Sequence, residues 1–194
     1  MKNILLFASG SGTNAENIIV HFRKGDIAKV TSVFTNNPNA GVIEKANALE
    51  IPVVQFSKEE LNNGIVFQKV ISDIPDLIVL AGFLLKFPDD IIKEYPNKII
   101  NIHPALLPNY GGKGMYGINV HRAIFNNREK ETGISIHFVN EHYDEGGIIF
   151  QQAVNIEDCA SAEEIAARIH ELEQQYFPKV IETVLKRQSD YLED

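Results

Sequence analysis

The chain has 194 residues, a formal net charge of −8, 44% hydrophobic residues and 23% charged residues. That length and balance support one globular domain over residues 1–194 with a sizeable core, and they exclude a disordered chain. The acidic charge argues against bulk binding to DNA or tRNA, which needs a basic face, yet it leaves room for a local pocket that takes one small phosphate.

Met1-Lys2-Asn3 leads directly into the apolar run Ile4 to Ala8, which reads as a buried strand. That run is too short for a membrane span and unlike a signal or transit peptide. The lone Cys159 forbids an internal disulfide and points to a reducing compartment. Cytoplasmic location is therefore expected. Ser9-Gly10-Ser11-Gly12-Thr13-Asn14 follows, and a helix is expected from Ala15 to Phe22, ended by Gly25. Glycines let backbone N–H groups approach an anion, and the helix start supplies a favourable dipole. The same residues fit the dinucleotide pattern G-x-G-x-x-G/A, which requires an acid at the end of the second strand to hold a ribose. That strand, Val30 to Phe34, ends in Thr35-Asn36-Asn37-Pro38 without a carboxylate, so a phosphate monoester is expected rather than NAD. A plain βα turn is the alternative.

A helix over Gly41 to Leu49, a short strand over Val53 to Phe56 and a helix over Lys58 to Ser72, weakened by Gly64, come next. Leu77 to Ala81 is a strongly apolar strand that stops at Gly82, and Asp89 to Glu94 is a short helix. Ile99 to His103 is the next strand. Side chains alternate along a strand, so Asn101 and His103 share a face. Pro104 cannot continue a central ladder, which puts the pair at the carboxyl end of the strand, where open α/β sheets hold ligands. His103 alone would suit a satisfied core histidine. An apolar strand rarely spends two polar side chains on one face, however, and an amide beside an imidazole suits an oxyanion donor next to a general acid or base. A carboxylate partner is expected in the segment from His137 to Gly147, where Glu141, Asp144 and Glu145 are equivalent on residue type alone.

Asn109 to His121 holds four glycines and is expected to form an extended, mobile loop. Its Lys113 reads as a solvated loop lysine. Ile134 to Phe138 alternates as a half-exposed strand should, and Ile148 to Val154 is its expected antiparallel partner. Ser161-Ala162-Glu163-Glu164 is a capping-box sequence opening a long helix with Ile165, Ile169, Leu172, Tyr176 and Val180 on one stripe, and Pro178 is expected to interrupt or bend it. The fold class is α/β, Rossmann-like, with a mostly parallel central sheet covered by helices on both faces and an antiparallel C-terminal hairpin. His21 reads as a surface residue, and His121 and His142 suit either solvent or a cleft. No pair has metal-ligand spacing, so no metal is expected. Cys159 receives no role.

Four segments together carry a resemblance: Ala8 to Asn14, Val79 to Phe83, Asn101-Ile102-His103-Pro104-Ala105-Leu106-Leu107-Pro108, and His137 through Asp144 to Gly147. They resemble the folate-dependent formyltransferases, most closely the phosphoribosylglycinamide formyltransferase family, over essentially the whole chain. The resemblance implies transfer of the formyl group of 10-formyltetrahydrofolate to the amine of glycinamide ribonucleotide in purine biosynthesis, through a tetrahedral intermediate. It implies that Asn101 stabilises the oxyanion, His103 is the general acid, and Asp144 orients and charges that imidazole and holds it protonated. Gly12, Thr13 and Asn14 would bind the ribose phosphate, with His170, Glu171, Leu172 and Glu173 on the ribonucleotide side. Leu80, Leu84, Leu85, Lys86 and Phe87 would line the folate cleft, closed by Asn101 and by Asn140, Glu141, His142, Tyr143 and Asp144. Small molecules are the implied partners, with no nucleic acid and no membrane, for a monomer or homodimer. Some relatives carry an arginine where Leu84, Leu85 and Lys86 stand. The alternatives are a methionyl-tRNA formyltransferase, opposed by charge and by the expected lack of a further C-terminal domain, a formyltetrahydrofolate hydrolase with an added N-terminal domain, and a non-catalytic phosphate-binding module.

Overall fold

The computed structural model describes residues 1–190, with side chains to residue 188. A seven-stranded sheet runs through it in the order β3-β2-β1-β4-β5-β6-β7. Strands β1 (Lys2–Phe7), β2 (Ala28–Thr35), β3 (Val53–Gln55), β4 (Leu77–Leu80) and β5 (Ile99–His103) are mutually parallel, and β6 (Glu131–Phe138) and β7 (Ile148–Asn155) complete the sheet in antiparallel sense. Alternation along β1 sorts the core into two layers. Ile4 and Leu6 face a cluster built with α1 (Thr13–Phe22), α2 (Gly41–Ala48), α6 (Ile118–Asn126) and α7 (Ala162–Asp190), whereas Leu5 and Phe7 face α3 (Lys58–Asn62), α4 (Ile65–Asp73) and α5 (Asp89–Glu94). Strands β2 and β3 are added on one side of β1 and β4 and β5 on the other, so the strand order reverses between β1 and β4, and a cleft opens at the carboxyl ends of such neighbours.

Several expectations change. Strand β6 is buried on both faces from Thr132 to His137, not half-exposed, because β5 and β7 flank it and α7 packs on it. The expected helix over Lys58 to Ser72 is two helices, since Gly64 takes a left-handed φ of 86° and starts a new one. Helix α7 continues through Pro178, which is buried within it. Its first turn is capped by Ser161, whose Oγ accepts from the Glu164 backbone N–H (3.2 Å). The glycine-rich segment is not loop throughout: Ile118 to His121 lies in α6, whose Val120 and Ile124 are buried. His21 is more than a surface residue, because Nε2 lies 2.9 Å from Glu182 and ties α1 to α7.

Candidate functional site

Three loops at the carboxyl ends of β1, β4 and β5, together with the 112–118 segment, the 139–144 loop and one face of α7, enclose a cavity of about 760 Å³. The loop after β1 supplies Gly10 through Asn14. Gly12 adopts φ 75°, and a Cβ there would fall 2.5 Å from the Val42 backbone, so only glycine lets α2 pack against the turn. Helix α1 starts without a side-chain cap, which leaves its first N–H groups and its dipole open to an anion. Both ends of the Asn14 amide are already engaged: Nδ2 donates to Glu173 Oε2 (2.9 Å), and Oδ1 accepts from Gln174 (2.7 Å). What Asn14 offers an anion is its backbone. The asparagines that end β2 serve the same loop, because Ser9 Oγ donates to Asn36 Oδ1 (2.6 Å) and Asn37 Nδ2 donates to the Ser9 carbonyl (3.2 Å).

Leu80, Leu84, Leu85, Lys86 and Phe87 line the opposite wall. Phe7 backs it, packing edge-on against Phe83 and Phe87 with ring centroids 5.3 and 5.0 Å away. The Leu84 backbone N–H donates to Ser9 Oγ (3.1 Å), so one buried serine ties this wall to the glycine loop.

Asn101 and His103 project between these two halves. His103 is 3% exposed, and its Nε2 donates to the carbonyl oxygen of Tyr110 (2.7 Å). A carbonyl can only accept, so Nε2 carries the proton of the neutral ring and Nδ1 is the nitrogen that titrates. That Nδ1 lies 3.7 Å from Asp144 Oδ2. Asp144 Oδ2 also accepts from the Gly112 backbone N–H (2.9 Å), and Oδ1 lies 3.6 Å from His137 Nε2. His137 Nδ1 donates to the Phe138 carbonyl (2.8 Å), leaving Nε2 to accept from Asn101 Nδ2 (3.1 Å). Asn101, His103, His137 and Asp144 thus form one cluster. His137 opens the 137–147 segment, and its share in the cluster follows from the β5–β6 register, which sets Asn101 opposite His137.

Asp144 reaches this position through a left-handed turn, φ 56°. Gly146 makes the turn possible, because a Cβ there would lie 1.7 Å from the Phe138 carbonyl oxygen. The turn loop after β5 is pinned by Ser135, whose Oγ donates to the Ala105 carbonyl (2.7 Å) and accepts from the Leu107 N–H (2.9 Å).

The electrostatics correct one expectation. Burial pushes the His103 imidazole below its ordinary range, outweighing the pull of Asp144 and the Tyr110 carbonyl. The carboxylate therefore does not raise His103 above its ordinary range. Burial opposes ionisation of Asp144, but its contact with His137, the neighbouring His103 ring and the Gly112 N–H outweigh it, and the carboxyl titrates below its usual range. His170 is raised by its bond to Glu173, against burial, and it lines the cavity with Glu173 and the glycine loop.

Among the expected site residues, Gly12, Thr13, Asn14, His170 and Glu173 line the cavity on the side of the glycine loop, and Asn140, Glu141, His142, Tyr143 and Asp144 also line it. Glu171 and Leu172 do not line it. Their places on α7 turn Glu171 to solvent and Leu172 toward the core. His121, Lys113, Met115 and Tyr116 do line it. Among the described residues no cluster of three or more His, Cys, Asp or Glu is placed to hold a metal, and no helix is long and apolar enough to cross a membrane.

The chain as a whole has known counterparts. The formyl transferase family matches residues 2–181. A phosphoribosylglycinamide formyltransferase of Bacillus subtilis is 36% identical, with 95% of each chain covered. A chloroplastic one of Arabidopsis thaliana is 34% identical over all of this chain and 68% of its own length. The crystal structure of a phosphoribosylglycinamide formyltransferase from Bacillus halodurans superposes with TM-score 0.86 at 33% identity, covering 95% of both chains. That of glycinamide ribonucleotide transformylase 1 from Symbiobacterium toebii gives TM-score 0.88 at 28% identity, covering 96% of this chain and 88% of that one. With one family spanning nearly the whole sequence and the same fold in its solved relatives, the chain belongs to the formyl transferase family.

Proposed function

We infer that this chain, acting as a single domain, transfers the formyl group of 10-formyltetrahydrofolate to the primary amine of glycinamide ribonucleotide. The observation that carries the reading is the meeting of Asn101, His103 and Asp144 between an uncapped helix start and an apolar cleft. The ribonucleotide phosphate sits at Gly12 to Asn14 with His170 nearby, and the pterin lies along Leu80 to Phe87. The amine attacks the formyl carbon, forming a C–N bond and a tetrahedral centre. The second N–H of Asn101 Nδ2 faces the oxygen on which negative charge grows. His103 Nδ1 takes the proton released by the attacking nitrogen and returns it to N10 of the folate as the C–N10 bond breaks. Asp144 stabilises the imidazolium that exists between these two transfers.

A lowered imidazole suits this relay, since the free ring begins neutral and accepts the proton before it donates one. The resemblance alone implied an acid protonated from the start. The test is turnover by the purified protein. Tetrahydrofolate should be released from 10-formyltetrahydrofolate only when glycinamide ribonucleotide is present. Release with no acceptor, or transfer to charged methionyl-tRNA, would overturn the reading.

A further inference from the structure

His121 is the buried histidine that the relay leaves unused. It lies on α6, is 6% exposed, and lines the same cavity as His103, Glu173 and Gly12. Its Nδ1 is buried without a hydrogen-bond partner among the described residues. Buried polar atoms are nearly always paired, and leaving one unpaired carries a desolvation penalty. Its helix neighbours Val120 and Ile124 turn into the core, whereas the imidazole lines the cavity near enough to Glu173 of α7 and to His103 to feel both. Burial pushes the ring below its ordinary range, against the pull of Glu173 and with the repulsion of His103, so it is neutral at pH 7. A neutral ring with Nε2 protonated keeps Nδ1 as an acceptor. As placed, that nitrogen is buried, and to meet a ligand the ring makes a half-turn about χ2, which leaves its outline nearly unchanged.

What it would meet follows from its neighbours. Glu173 is joined to Asn14 of the glycine loop (2.9 Å), and both bonds that carboxylate makes fall on Oε2. His121 feels both Glu173, which is tied to the glycine loop, and His103, and so lies within reach of both ends of the cavity. We propose that His121 binds the acceptor substrate: its unpaired nitrogen accepts a hydrogen bond from an O–H or N–H of the ribose–glycinamide portion, completing with Glu173 a polar clamp between phosphate and amine. This rests on the acceptor being a ribonucleotide amine.

The experiment compares the unaltered protein with His121→Phe, which keeps the ring's bulk, and His121→Gln, which keeps a hydrogen-bonding group. Calorimetry with glycinamide ribonucleotide alone should show binding weakened about tenfold or more in the Phe variant and largely restored in the Gln variant. KM for the ribonucleotide should rise in step, while KM for 10-formyltetrahydrofolate stays within about twofold. In the unaltered protein, the ¹⁵N resonance of His121 Nδ1 should move from a free to a hydrogen-bonded position when the ribonucleotide is added, a readout that does not depend on any variant folding. Unimpaired ribonucleotide binding by His121→Phe, an equal rise in both KM values, or an unmoved Nδ1 resonance overturns the role of His121 while leaving the reaction intact. No ribonucleotide binding by the unaltered protein overturns the acceptor assignment itself.

Discussion

His103 shows how burial and charge compete at one side chain. A carboxylate 3.7 Å away would raise an exposed imidazole, but this one is almost wholly buried, and the loss of hydration is the larger effect. Two outcomes follow for the relay. Asp144→Asn removes the attraction and leaves the burial, so the His103 pKa should fall further and the acid limb of the kcat profile should move to lower pH, with kcat down by about 10²–10⁴-fold. NMR titration of His103 beside a pH–rate profile checks this, and an acid limb unmoved by the substitution would separate Asp144 from the proton transfer. Asn101→Ala removes the donor facing the growing oxyanion, and it also frees His137 Nε2 of its partner. Its kcat should fall by about 10²–10³-fold with little change in KM for either substrate. A loss confined to KM would assign Asn101 to binding.

At the scale of elements, the 139–147 loop is where a single hydrogen decides the geometry. Asp144 reaches His103 only because the chain turns back against Phe138, leaving no room for a Cβ at Gly146. Gly146→Ala should destabilise the protein by about 1–3 kcal/mol and cost more activity than stability, because the turn carries Asp144 away from both histidines. Gly147→Ala is the control, since a Cβ there meets nothing within 4 Å. Thermal unfolding and kcat for both variants test the pair, and equal behaviour would mean that the turn is not what holds Asp144. Strand β5 and its Asn101–His103 pair were legible in the sequence, because an apolar run ending at proline fixes both the register of faces and the strand end. The uncapped glycine turn was legible for the same local reason. Asp144 could be separated from Glu141 and Glu145 only by resemblance, since its place depends on a left-handed turn and a contact with Phe138. The share of His137 depends on the pairing of β5 with β6, which no local pattern encodes. Helix α6 was masked by the four glycines that precede its first buried turn, and the two buried faces of β6 by polar residues whose partners lie on other elements.

For the whole molecule, the cavity makes stability depend on pH. His103 and His121 are buried with lowered pKa values, so below about 6.5 the unfolded chain binds protons that the folded chain refuses, and stability is lost as pH falls. His170 acts in the opposite direction, because its raised pKa contributes stability at low pH that is lost as pH rises through its folded value. Its side chain is 42% exposed, however, so solvent screening makes it the smaller influence. Asp144 has a lowered pKa, and its contribution, full above the unfolded value near 3.9, disappears as pH falls through the folded one. The urea midpoint should therefore hold steady above neutrality, begin to fall as pH drops below about 6.5, and fall further below about 4. His121→Phe removes one of the two refused protons and should flatten the upper step while leaving the lower one. A midpoint that stays level from pH 7.5 to 5.5 in the unaltered protein would mean that both imidazoles accept protons in the folded state. His103 would then titrate in its ordinary range, and burial would not be what keeps the imidazole neutral for the relay.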